Sequence, residues 1–164
     1  MLEDRLPERY RVRARVRAVA QYIEPEAWLD VGTGDGAFPG AAREELRYTA
    51  FDGTGTGAEL ERARRTGRVD EAYEGSLPEL AGRLAGRYDA VSMLRCPERR
   101  PERGVAEVRG ELEAAREVLR GGGLLLLESA GPPPGGLRGA GFVVLRVERG
   151  VRWGGVYRTL ARRG

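Results

Sequence analysis

The chain has 164 residues, of which 28 are basic and 25 acidic, for a net charge of +3 with no histidine. Every basic residue is arginine and there is a single cysteine, so Ser-His-Asp triads, lysine Schiff bases, P-loop chemistry and internal disulfides are excluded, and no metal site is expected. The length suits one domain burying about two-thirds of its surface. No apolar run nears the roughly 18 residues of a membrane span.

In chain order, the first feature is a signal-peptide core that Met1–Asp4 lacks; with the lone cysteine this leads to the expectation of a cytoplasmic protein. Val12, Val16, Val19 and Ile23 recur at helical spacing and predict an amphipathic helix over 8–23. Arginines at 9, 11, 13, 15 and 17 read as its solvated surface, and the small net charge requires no nucleic acid partner.

An apolar strand over 28–31 then runs into Asp30-Val31-Gly32-Thr33-Gly34-Asp35-Gly36 and a helix over 37–46. Glycines at alternate positions let the backbone turn and let a ligand lie against it, while the following helix points free N–H groups at that ligand. The spacing is not the G-x-G-x-x-G of dinucleotide enzymes, because Ala37 stands where that pattern continues. A second strand, 47–51, ends at Asp52, about twenty residues past the loop, where an acidic residue can accept from both hydroxyls of a ribose.

A helix is expected over 57–65, a strand over 70–74 and a helix over 77–85, with Ser76-Leu77-Pro78-Glu79 forming a capping box. A strand over 88–93 follows. Val105, Val108, Leu112, Ala115 and Leu119 mark one face of a helix over 104–120, and Gly121-Gly122-Gly123 ends it before a strand over 123–128. Residues 131–136, rich in Pro and Gly, read as a stiff surface connection. The tail reads as an antiparallel pair, 142–148 and 152–160, turning at Arg149-Gly150. Alternating strands and helices imply an α/β domain with a mostly parallel sheet and helices on both faces.

At this point the chain resembles the class I, Rossmann-like S-adenosylmethionine-dependent methyltransferases. Leu29–Gly36 is similar to their first motif, and the strand 88–93 and segment 114–128 match in order and spacing. The resemblance covers roughly 28–160 and implies a sheet of about seven strands closed by the C-terminal hairpin. It divides one domain, 1–164, into an N-terminal helix within 1–25, a cofactor-binding core at 26–128 and a hairpin at 142–160. It implies S-adenosylmethionine as cofactor, held by Asp30, Gly32, Thr33, Gly34, Gly36, Asp52, Gly53, Ser76, Leu77 and Met93. Asp30 would orient the methionine part or brace the loop, and Asp52 would hold the ribose diol. Ser76 falls where relatives place an adenine contact, although capping is the preferred reading. Asp89 matches a structural aspartate, and Met93–Cys96 would line the junction of cofactor and acceptor.

The chain departs from its relatives in Leu94–Arg100. Only Glu98 matches an element that elsewhere carries histidine, so a histidine base is missing and Glu98 is the single candidate. Gly121 replaces a usual proline, and thirteen residues separate Glu128 from Phe142 where relatives fit a helix or lid. The expected activity is methyl transfer to a small molecule. The open cleft leaves room for a partner, a second copy of the chain among them. Two alternatives stand: a degenerate, non-catalytic methyltransferase-like module, and, disfavoured by the glycine spacing, a nicotinamide-dependent oxidoreductase.

Overall fold

The computed structural model describes residues 7–94, 105–133, 135–150 and 156–164. Among them the chain alternates strand and helix: α1 (Glu8–Ala20), β1 (Ala27–Asp30), α2 (Ala37–Glu45), β2 (Ala50–Gly55), α3 (Gly57–Arg65) and β3 (Ala72–Glu74). There follow α4 (Leu77–Leu80), β4 (Tyr88–Met93), α5 (Val105–Val118), β5 (Leu119–Ser129), β6 (Phe142–Gly150) and β7 (Val156–Arg163). Seven strands form one sheet in the order β3-β2-β1-β4-β5-β7-β6. β7 runs antiparallel to both its neighbours and the remaining pairs are parallel. The switch in strand order falls between β1 and β4, so β1, β2 and β4 deliver their carboxyl ends to one crevice, the usual place for a ligand in an open α/β sheet.

The two sheet faces are covered separately. On one, Trp28, Phe51, Ala90, Leu124 and Leu126 pack under α1 through Val12, Val16 and Val19, and under α2 through Phe38 and Ala42. Trp28 lies at the centre of this layer, its ring 5.5 Å from Phe51 and 5.8 Å from Phe38. On the other, Leu29, Val91, Leu125 and Leu127 meet α4 and α5 through Leu77, Leu80, Leu112 and Ala115. In-register residues of parallel strands point the same way, so each apolar run feeds both layers by turns.

Several element boundaries differ from those expected. α1 stops at Ala20, with Ile23 packed beyond the helix end. β2 does not end at Phe51; it continues through Asp52 to Gly55 because Gly53, Thr54 and Gly55 pair with Ala72, Tyr73 and Glu74 of β3. α4 is a single turn ending at Leu80, short of the expected 85. β5 begins at Leu119 and passes through the glycines taken as a helix stop, with a register shift opposite Tyr88/Ala90 absorbing them.

Candidate functional site

The crevice is built around the loop that leaves β1. Gly32, Gly34 and Gly36 all have positive φ, at 65°, 60° and 80°. The loop is stapled to its neighbours: Val31 N–H donates to Ser92 O at 2.9 Å, Gly32 N–H to Thr54 Oγ1 at 3.1 Å and Thr33 N–H to Thr54 O at 2.8 Å. A Cβ on Gly32 would meet nothing within 4 Å, so the backbone there borders open space. Thr33 is buried, and its Oγ1 has no hydrogen-bond partner among the described residues. Asp30 is 4% exposed and is held through a chain in which Trp28 Nε1 donates to Ser92 Oγ at 2.9 Å and Ser92 Oγ donates to Asp30 Oδ1 at 2.7 Å. Its carboxylate therefore ties the end of β1 to β4 from inside the sheet.

Arg68, which nothing in the sequence singled out, closes the outer side of the loop. Its Nη1 donates to Asp35 O at 3.1 Å and pairs with Asp35 Oδ2 at 3.3 Å. Asp35 Oδ1 in turn accepts from Ala37 N–H at 3.2 Å, at the start of α2. Thr54 and Ser92 are likewise unmarked in the sequence, because a hydroxyl that serves a neighbouring strand leaves no periodic signal.

Asp52 lies two residues deeper in β2 than the rim formed by Thr54 and Gly55, level with Leu29 of β1. Both its oxygens are engaged within the protein: Oδ1 accepts from Glu71 N–H at 3.1 Å and Oδ2 from the Tyr88 hydroxyl at 2.7 Å. Burial pushes the Asp52 carboxyl above its ordinary pKa, although the bonds from Tyr88 and Glu71 act against this. Burial, and then the bond to Asp52, hold the Tyr88 phenol well above its usual range, so it serves as a neutral donor. Gly53 is a close-packing position, since a Cβ there would lie 2.6 Å from Thr33 Cγ2. Thr56, exposed at the N-cap of α3, makes no side-chain capping bond.

The remaining expected residues are spread around this crevice. Ser76 occupies the N-cap of α4 but donates or accepts no side-chain capping bond, which corrects the capping-box expectation. A one-turn helix with an exposed start leaves its first amides to water, and Ser76 serves through its carbonyl, which accepts from Leu80 N–H at 3.2 Å. Leu77 and Met93 are both in the core layer beneath α4 and α5. Asp89 is structural, accepting from Glu26 and Ala27 N–H at 2.9 and 3.0 Å and from Arg120 Nη1 at 2.9 Å. Glu98, with Arg95 and Cys96, lies outside the described residues.

A second feature of the carboxyl edge was hidden in the sequence. Glu128, near the end of β5 and 7% exposed, accepts from Arg15 Nε and Nη2, both at 2.8 Å. It also accepts from Arg158 Nη2 at 3.0 Å and Nε at 3.3 Å. Burial alone would raise the Glu128 pKa, but the bonds and charges of the two guanidinium groups outweigh it and hold the carboxyl below its ordinary value. Arg15 also lies over the Phe38 ring at 5.5 Å, which ties this triad to the start of α2.

No family model and no curated protein matches the sequence. Solved structures do. A 1,6-didemethyltoxoflavin-N1-methyltransferase from Burkholderia thailandensis, with 1,6-didemethyltoxoflavin and S-adenosylhomocysteine bound, superposes with a TM-score of 0.75 at 16% identity, over 95% of this chain and 79% of that one. The N-methyltransferase NodS from Bradyrhizobium japonicum WM9, in complex with S-adenosylhomocysteine, gives 0.74 at 14% identity over 99% of this chain and 90% of its own. An O-methyltransferase family protein from Burkholderia thailandensis gives 0.71 at 16% identity; this chain is covered over 95% and spans 57% of that protein. Sheet order, glycine loop and these superpositions agree: the chain has the fold of the class I, Rossmann-like methyltransferases.

Proposed function

We propose that this protein binds S-adenosylmethionine in the crevice of the glycine loop and transfers its methyl group to a small-molecule acceptor. The observation that carries this reading is the loop itself. It carries three positive-φ glycines, is stapled to β2 and β4 through Val31, Gly32 and Thr33, borders open space at Gly32, and opens a helix. Solved structures of the same fold include complexes with S-adenosylhomocysteine.

In this reading the cofactor's sulfonium supplies an already activated methyl group, so the protein's task is alignment. Holding two reactants in attack geometry contributes roughly 7–11 kcal/mol without any acid or base. The loop backbone at 32–36 lies against the methionine and ribose side. The amides of Gly34 and Asp35 are turned to it, because those of Gly32, Thr33 and Gly36 are bonded within the loop and to Thr54. Asp30 and Arg68 keep the loop in place. Asp52 shapes the floor through its bonds to Glu71 and Tyr88, and Thr56, exposed just beyond β2, supplies a hydroxyl for the ribose. Ser76, exposed at the start of α4, flanks the base, and Leu77 supports it from the core. On sequence grounds, Glu98 is the base for an acceptor that needs one.

The test is isothermal titration of the folded protein with S-adenosylhomocysteine and, in parallel, NADH. Saturable binding of the first and none of the second is expected. Binding of NADH alone would revive the oxidoreductase reading, and binding of neither would favour a non-catalytic module. Asp52→Asn should change S-adenosylhomocysteine affinity by less than about threefold, under 1 kcal/mol. A loss of about tenfold or more in a folded variant, the size expected for hydrogen bonds to a charged group, would return the ribose to Asp52.

A further inference from the structure

A cleft of about 560 Å³ opens between α1 and the β6–β7 hairpin. Ala14 and Ala18 form its apolar wall on α1, and their small side chains are what leave the space. Arg17 and Gln21 on α1, and Arg146, Glu148 and Arg158 on the hairpin, line the rest. Arg146 pairs with Glu148 at 2.6 Å, and Arg158 with Glu128 at 3.0 Å. Arg17 forms no ion pair among the described residues, and it is exposed.

The charges do not cancel. Among the lining residues Arg17, Arg146 and Arg158 stand against Glu148, and with Glu128 counted as the partner of Arg158 one positive charge remains, that of Arg17. Arg158 is 4% exposed, in surroundings where a charge acts over a low dielectric and is only weakly screened by salt. An exposed arginine surplus would be unremarkable; one set around a concave apolar wall is a recognition arrangement for an oxyanion on a small apolar body.

The location also matters. Glu128 pairs in register with Arg158, and Arg158 with Glu148, near the carboxyl end of β5. β5 is parallel to β4 and β4 to β1, so the cleft shares its sheet edge with the glycine loop. β7 is three strand steps from β1, roughly 14 Å at the usual spacing, and Arg15 spans part of that gap between Phe38 and Glu128.

We propose that this cleft binds a small molecule carrying a carboxylate or phosphate group, with Arg17 and Arg146 as its exposed anion contacts and Ala14 and Ala18 against its apolar part. That the bound anion is the methyl acceptor rests on the methyltransferase reading; anion binding does not.

The test is titration with phenyl phosphate, and with benzyl alcohol as its uncharged counterpart, of the full chain and of the double variant Arg17→Gln/Arg146→Gln. Phenyl phosphate should bind saturably with a dissociation constant of about 1 mM or lower, and benzyl alcohol should not. The double variant should bind it roughly tenfold more weakly, as expected when charge-assisted hydrogen bonds are lost. Absence of saturable phenyl phosphate binding, or equal binding by the double variant, would overturn the proposal. Circular dichroism of the variant checks that it is folded, and unchanged S-adenosylhomocysteine affinity shows that the crevice is untouched. If neither protein binds S-adenosylhomocysteine, the cofactor reading fails, and the phenyl phosphate result still decides the cleft.

Discussion

Replacing Glu128 with alanine should destabilise the protein by about 3–5 kcal/mol, the usual cost of removing one partner from a buried ion pair. The carboxylate receives four hydrogen bonds from Arg15 and Arg158, and its removal leaves two guanidinium groups facing each other with little water. Urea unfolding measures this as a fall in midpoint at unchanged slope. The same group sets an acid limit. The folded Glu128 pKa lies below the ordinary glutamate value of 4.5, so the stability it contributes is complete above that value and is lost as pH falls through the folded one. Asp52 acts with the opposite sign, because its raised pKa lets the native state take up a proton before the unfolded chain does. Below pH 4.5 the parent should therefore lose stability faster than the alanine variant, and parallel curves would remove Glu128 from the account.

The glycine loop offers the second large effect, and two of its positions separate packing from ligand contact. A Cβ on Gly36 would lie 2.9 Å from Arg68 Cβ and 3.0 Å from Ala63 Cβ, at a φ of +80°. Gly36→Ala combines left-handed strain with overpacking and should cost about 2–4 kcal/mol of stability. Gly32 has a similar φ but faces open space, so Gly32→Ala should cost only the strain, about 1–2 kcal/mol. Its methyl group would nevertheless occupy the space assigned to the ligand. Gly32→Ala should thus weaken S-adenosylhomocysteine binding by roughly tenfold or more, by displacing a closely fitted ligand. Thermal unfolding and titration of both variants check the contrast. A Gly32→Ala protein that binds like the parent would mean that no ligand lies against this backbone.

Much of this architecture was legible in the residues. Apolar runs at 28–31, 88–93 and 124–127, separated by segments of helical period, led directly to a parallel sheet, and the glycine spacing located the crevice. What failed was the reading of individual glycines. The strand expected over 47–51 runs on through Gly53 and Gly55, and Gly53 is small because Thr33 approaches it. That extension is why Asp52 lies inside the sheet while Thr54 and Thr56 reach the rim. Gly121–Gly123 looked like a helix stop and are part of β5.

The buried triad escaped for a different reason. Arg15 belongs to a run of alternating arginines whose neighbours are solvated, and only its partner Glu128, at the end of four consecutive leucines, hinted at a buried charge. Long-range pairing across 113 positions leaves no local period to read.

The most direct measurement is an amide-resolved NMR titration of the isotope-labelled protein with S-adenosylhomocysteine. The expected result is saturable shifts concentrated at Val31–Ala37 and Gly55–Gly57, the loop after β1 and the end of β2. Saturating ligand with no shifts at those amides, or with shifts confined to other parts of the sheet, would contradict the assignment of the crevice as the cofactor site.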